Sequence, residues 1–177
     1  MVVEEEIHLS KSTDMRRAGR TGKSALSFSL ARLARRAHSE SELASKMKRA
    51  GYSSDEIAAT LAKLRNWRYV DDRSYASAFA RSAKERKHLG PARIIRALRE
   101  RGVSDALVEE AVAEVFPEGE HQALEEALAR FRRKEGRRWT VEQQKDRAYR
   151  HLLRRGFSPA TIFDVLGTTE LIQENED

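Results

Sequence analysis

The sequence predicts an all-α chain built from three tandem three-helix modules. Three observations carry that reading. Apolar residues recur three and four positions apart along most of the chain, and no stretch alternates with period two over the length of a strand. A helix, glycine, helix pattern occurs three times, around Gly51, Gly102 and Gly156. Serine or threonine followed three residues later by Glu or Gln, a reciprocal helix-start signature, stands at Ser39/Glu42, Ser53/Glu56 and Thr140/Gln143.

Aligned on the three glycines, four positions keep their apolar character. Four residues before the glycine stand Met47, Leu98 and Leu152, and one residue after it stand Tyr52, Val103 and Phe157. Six residues after come Ile57, Val108 and Ile162; ten after come Leu61, Val112 and Leu166. A serine follows two residues after each glycine, as Ser53, Ser104 and Ser158. The glycines lie 51 and 54 residues apart, near the upper end of the periods found in repeat architectures. Each glycine is read as the left-handed close of one helix, and the following serine as the cap of the next.

In chain order, residues 1–23 lack sustained periodicity and form a mobile tail. Gly22, Lys23 and Ser24 mimic the end of a phosphate-binding loop, but Arg17 occupies the required glycine position and no strand precedes it, which excludes that motif. Module one, residues 24–70, opens with Leu26, Phe28, Leu30 and Leu33 on a helix ending at Arg35 and Arg36. Leu43 and Met47 mark its second helix, and Ile57, Leu61 and Leu64 its third, running to about Asn66. Trp67, Tyr69 and Val70 form an apolar joint, and Asp71 or Asp72 caps the next helix.

Module two, residues 71–117, places Tyr75, Phe79 and Ala83 on its first helix. Gly90 and Pro91 open the second, with proline at the first position, where no amide donor is lost. Pro117 and Gly119 close the module. Module three, residues 118–167, starts with Leu124, Leu128 and Phe131, crosses a Lys134–Trp139 connector, and restarts at Thr140. Ser158 and Pro159 begin its last helix, which Gly167 is expected to stop, leaving residues 168–177 as a frayed acidic tail.

The net charge of +6 is unevenly placed: residues 1–23 carry +1 and residues 168–177 carry −4, leaving +9 on the folded part. Such a balance favours a nucleic acid or an acidic protein surface as partner, although Arg and Lys also simply solvate long helices. Without cysteine there is neither a disulfide framework nor a thiolate metal site, which suits a reducing compartment. No apolar run approaches the ~20 residues of a membrane span and no signal-type core follows the N-terminus. A cytoplasmic monomer without cofactor is expected.

Catalysis needs a nucleophile, an acid/base pair or a metal in a pocket. His8, His38, His88, His121 and His151 are scattered singly at surfaces and helix ends without ligand spacing, and Ser and Asp concentrate at caps. No enzyme and no metal site is expected. The chemistry left is cationic: the second helix of module two carries Arg93, Arg96, Arg99 and Arg101, and that of module three carries Arg147, Arg150, Arg154 and Arg155. Residues three or four apart share a face, so Arg96 with Arg99, and Arg150 with Arg154, can meet one partner together. Guanidinium forks grip carboxylates or phosphates with two prongs, while at helix C-termini, as for Arg101 and Arg155, they also complement the dipole.

RRAHSESEL (Arg35 to Leu43), YVDDRSYA (Tyr69 to Ala76) and GPARIIRALRERGV (Gly90 to Val103) resemble the RecX family of recombinase regulators, over residues 25–167. The resemblance implies tandem three-helix units in an extended, curved array. It implies a protein that binds the RecA filament on DNA across neighbouring protomers and lowers strand exchange and ATP hydrolysis or limits filament growth. Arg93, Arg96, Arg150 and Arg154 are the expected partner contacts.

Two other classes compete with this. A helix-turn-helix DNA reader without RecA dependence needs base-contacting residues on its third helix, yet SSDEIAATLAKL, SDALVEEAVAEV and SPATIFDVL are neutral or acidic. Non-specific single- or double-strand DNA binding stays open. A plain α-solenoid scaffold normally stacks more, and more similar, repeats than three.

Overall fold

The computed structural model describes residues 22–135 and 140–173, and every element among them is a helix. In order these are α1 (Ala25–Leu33), α2 (Glu40–Arg49), α3 (Ser54–Asn66), α4 (Asp72–Lys87), α5 (Pro91–Arg99), α6 (Asp105–Val115), α7 (His121–Glu135), α8 (Val141–Arg155) and α9 (Pro159–Gln173). None of the described helices is long and apolar enough to cross a membrane. The chain divides into two compact units, one reaching Tyr75 and including Arg101–Val103, the other comprising Ala76–Glu100 and the chain from Ser104.

The first unit closes α1, α2 and α3 around Phe28, Leu43, Met47, Tyr52, Leu61, Leu64 and Val70, all buried. Phe28 and Tyr52 meet edge to face at 5.3 Å, and the buried Ser29 hydroxyl donates to the Met47 sulfur at 3.2 Å. Helix starts follow the sequence signals. Ser24 caps α1, and the boxes at Ser39/Glu42 and Ser53/Glu56 are both closed. Asp71, not Asp72, caps α4, accepting from the amides of Arg73 and Ser74; Asp72 instead accepts from the Glu40 amide at 2.8 Å.

The second unit buries Ala76, Ala80, Ala83, Ile94, Leu98, Val108, Ala111 and Val115 from α4 to α6, and Leu124, Leu128, Leu152 and Ile162 from α7 to α9. Three alanines on the inner face of α4 leave room for the larger side chains of α5 and α6. Pro91 stands at the start of α5, and the Thr140/Gln143 box closes at α8. Gly51, Gly102 and Gly156 all hold positive φ, at 91°, 70° and 90°, as the repeat requires.

Several expectations are corrected. The apolar joint is only Val70, since Trp67 and Tyr69 are 52% and 58% exposed. Ser104 stands at the N-cap of α6 but its hydroxyl makes no capping bond. α1 ends at Leu33, two residues short of Arg35. Gly167 does not stop α9, which continues to Gln173; a lone glycine costs a helix only about 1 kcal/mol and no proline follows. His38 stands at a helix end, directly before the Ser39 cap of α2, but it is buried and not at the surface. Residues 1–21 of the expected 1–23 tail, the Gly136–Trp139 part of the connector and residues 174–177 lie outside the described residues.

Candidate functional site

The second helices of modules two and three, α5 and α8, meet end to end through their glycines. α5 begins at Gly90-Pro91, so its first turn presents the amides of Gly90 and Ala92 with no proline donor between them. α8 ends at Gly156 in the left-handed conformation, which turns the last carbonyls outward. The Gly90 amide donates to the Arg155 carbonyl at 2.9 Å and the Ala92 amide to the Gly156 carbonyl at 3.1 Å. Each glycine is needed for the approach: a Cβ on Gly90 would lie 2.5 Å from the Gly156 oxygen, and one on Gly156 would lie 2.4 Å from the Arg93 nitrogen. The Arg155 guanidinium donates to the Lys87 carbonyl and pins the same corner.

Beside this junction lies an open groove of about 380 Å³ lined by Ala92, Arg93, Arg96, Leu153, Arg154 and Gly156. Three of the four expected partner contacts are thus brought together from two helices. Arg150, one turn back along α8 from Arg154, is outside that lining and is paired with Asp146. Arg96 donates through Nε to Glu100 at 2.9 Å, and Arg99 is held by Asp105 at 2.7 Å. Among the described residues, Arg93 and Arg154 have no carboxylate partner. The groove therefore presents two uncommitted guanidinia and one half-neutralised one around a partly exposed Leu153, suited to an anionic group with an apolar neighbour. Leu153, and the docking role of Gly90 and Gly156, were missed from the sequence. The signal available was the repeat itself, in which Arg155-Gly156 matches Arg101-Gly102.

That second copy of the motif has a docking role too. The Ser39 hydroxyl donates to the Arg101 carbonyl at 2.6 Å, and a Cβ on Gly102 would strike the Ser41 side chain. Around Ser39 sits a polar cluster. Glu42 accepts from both Arg36 terminal nitrogens, at 3.2 and 3.3 Å, from the Ser39 amide and from the Tyr75 hydroxyl. Burial pushes the Glu42 carboxyl up, but the Arg36 hydrogen bond and charge, with the Ser39 amide, outweigh it and bring it to about 2. Burial, helped by the Arg36 charge, lowers the His38 imidazole, whose Nδ1 is 3.4 Å from Glu42. The bonds from Glu42 to Arg36, the Ser39 amide and Tyr75, with that from Ser39 to Arg101, act as a latch. No three His, Asp or Glu side chains among the described residues are grouped to hold a metal.

Comparisons with known proteins agree on one family. A family model for RecX, first three-helix domain, matches residues 25–64, and one for RecX, second three-helix domain, matches residues 71–112. The regulatory protein RecX of Pasteurella multocida is 33% identical over 147 residues, covering 82% of this chain and 88% of the relative. That of Thermus thermophilus is 39% identical over 136 residues, covering 77% and 85%. That of Geobacillus kaustophilus is 33% identical over 147 residues, and the match spans 82% of this chain but only 54% of that longer protein. Two crystal structures share the fold. A regulatory protein RecX has a TM-score of 0.73 at 22% identity, covering 93% of this chain and 79% of its own. RecX from Lactobacillus salivarius has 0.70 at 18% identity, covering 83% and 95%.

Proposed function

The chain belongs to the RecX family of regulatory proteins, and we propose that it regulates the RecA–DNA filament by binding it, lowering strand exchange and ATP hydrolysis in recombinational repair. The observation that carries the reading is the convergence of Arg93, Arg96 and Arg154 on one open groove, with Arg150 a turn away. The locked junction fixes where the Arg93 and Arg154 side chains start, and their guanidinium forks suit carboxylates or phosphates. The +9 charge of residues 24–167 speeds encounter with a nucleoprotein polyanion. Tandem modules let individually weak contacts add through effective concentration. The acidic α6, DALVEEAVAEV, speaks against a helix-turn-helix reader, because that helix would repel phosphate.

The test follows DNA-dependent ATP hydrolysis by RecA on single-stranded DNA at fixed salt, with this protein added well below one per recombinase monomer. Hydrolysis is expected to fall, and the Arg93→Glu/Arg154→Glu variant to need at least about tenfold more protein for the same effect. Arg150→Glu, which only breaks an exposed pair with Asp146, is expected to lose less. Inhibition seen only when the DNA itself is saturated would refute filament binding in favour of general DNA binding. Equal inhibition by parent and double variant would leave the regulator reading standing and remove the groove from it.

A further inference from the structure

The exit of α3 ends in a left-handed close of the kind made at Gly51 and Gly156, with one difference. At Gly51 the Tyr52 amide donates back to Met47, and at Gly156 the Phe157 amide donates back to Leu152; at the α3 exit the Tyr69 amide donates to Leu64 at 2.9 Å in the same pattern. The left-handed position there is occupied by Arg68, at φ 57°, and not by glycine. The aromatic residue that follows is also treated differently: Tyr52 and Phe157 are buried at 4% and 3%, whereas Tyr69 is 58% exposed. Trp67 on the other side is 52% exposed, and its ring meets that of Tyr69 edge to face at 6.4 Å. Among the described residues Arg68 and His88, at φ 49°, hold the left-handed conformation without being glycine, and at Arg68 the chain leaves in water two large rings where the turns at Gly51 and Gly156 bury theirs.

Strain retained at an exposed side chain is a mark of a working surface. Lys63, one turn back on α3, shares a face with Trp67, whose amide donates to the Lys63 carbonyl. Among the described residues neither Lys63 nor Arg68 has a carboxylate partner, while Arg65 reaches Glu40 at 3.6 Å. The nearby carboxylates are engaged elsewhere, Asp71 in capping α4 and Asp72 on the Glu40 amide. Cations alternating with exposed flat rings match a sugar–phosphate strand whose bases are unstacked and able to lie on aromatic faces. A duplex hides those faces.

We infer that Lys63, Trp67, Arg68 and Tyr69 form a stacking site for single-stranded nucleic acid, with Trp67 and Tyr69 receiving bases and Arg68 and Lys63 the adjoining phosphates. This goes beyond the filament reading, because it needs no RecA and uses none of the groove arginines.

The experiment titrates oligodeoxythymidylate, without RecA, into the full chain carrying Trp139→Phe, so that emission reports Trp67 alone. Quenching of Trp67 is expected, with tighter binding to the single strand than to a duplex of the same length. Trp67→Ala, followed by anisotropy of a labelled strand, should weaken binding by about tenfold. Arg68→Gly should raise the melting temperature by about 2–4 °C as strain is relieved, yet weaken binding and reduce the slope of log affinity against log salt by about 0.7. The inference is overturned if the oligonucleotide does not bind, if Trp67→Ala and Arg68→Gly bind like the parent, or if duplex and single strand bind equally. It is likewise overturned if Trp67 responds to RecA protein and not to DNA, which would make the patch a protein contact. None of these outcomes touches the groove, which the Arg93→Glu/Arg154→Glu variant tests separately.

Discussion

Replacing Gly156 by alanine tests whether the α8 to α5 junction holds the groove together. Two costs are separable. The residue sits at φ 90°, a left-handed conformation that costs a residue with a Cβ about 1–2 kcal/mol. The added Cβ would also lie 2.4 Å from the Arg93 nitrogen and 2.5 Å from the Arg93 Cβ, so the two helix ends must part. Parting them breaks the Gly90 to Arg155 and Ala92 to Gly156 hydrogen bonds, each worth about 0.5–1.5 kcal/mol. The expected loss is therefore about 2–5 kcal/mol in urea unfolding, or roughly 5–15 °C in melting temperature for a chain of this size. Gly119→Ala supplies the control, because Gly119 has φ 86° and open space around its would-be Cβ, so only the strain remains. Hydrogen exchange at the Ala92 amide should accelerate in Gly156→Ala and not in Gly119→Ala. Equal destabilisation by the two substitutions would refute the argument that Gly156 is a docking contact.

Ser39→Ala should cost about 2 kcal/mol in urea unfolding, since it removes both the α2 cap and the hydrogen bond to the Arg101 carbonyl from a fully buried position; Ser24→Ala at the exposed cap of α1 should cost about half as much. Acid should withdraw stability over two pH ranges. His38, whose folded affinity for a proton lies below the ordinary 6.5, withdraws stability as pH falls through 6.5. Glu42, depressed to about 2 from 4.5, then contributes a term of about 3 kcal/mol that is complete above pH 4.5 and lost as pH falls from there toward 2. In Glu42→Gln, followed by circular dichroism across that range, the loss over the lower range should flatten.

The helical repeat was legible because burial follows local period: Met47, Leu98 and Leu152, chosen only by their distance from a glycine, are all fully buried. Capping boxes were legible for the same reason, as each is a bargain among four consecutive residues. What the sequence hid was long-range. Gly156 reads as a helix stop, and nothing near it signals that its carbonyl will meet an amide more than sixty residues earlier. Trp67 and Tyr69 read as an apolar joint, because hydrophobicity says which side chains gain from burial and not whether the chain supplies a cover. Gly167 shows the reverse error, a glycine taken for punctuation where the helix simply tolerates it. Of the four arginines, spacing paired Arg150 with Arg154, whereas the tertiary fold joins Arg154 to Arg93 and Arg96.

The three stretches that carry the family likeness turn out to be joined to internal partners. From the first, Ser39 and Glu42 hold the Arg101 carbonyl, Arg36 and Tyr75; from the second, Asp72 holds the Glu40 amide and Tyr75 the Glu42 carboxylate. From the third, Gly90 takes the Arg155 carbonyl and Gly102 fits against Ser41. The residue types at Ser39, Glu42, Asp72, Tyr75, Gly90 and Gly102 follow from hydrogen-bond geometry and close backbone approach. Arg93, within the third stretch, and Arg154 have no carboxylate partner among the described residues, which is why the proposed function assigns partner contact to them. The two groups should separate experimentally. A latch substitution such as Ser39→Ala loses activity only in proportion to the folded fraction, whereas Arg93→Glu/Arg154→Glu loses it with the melting temperature unmoved.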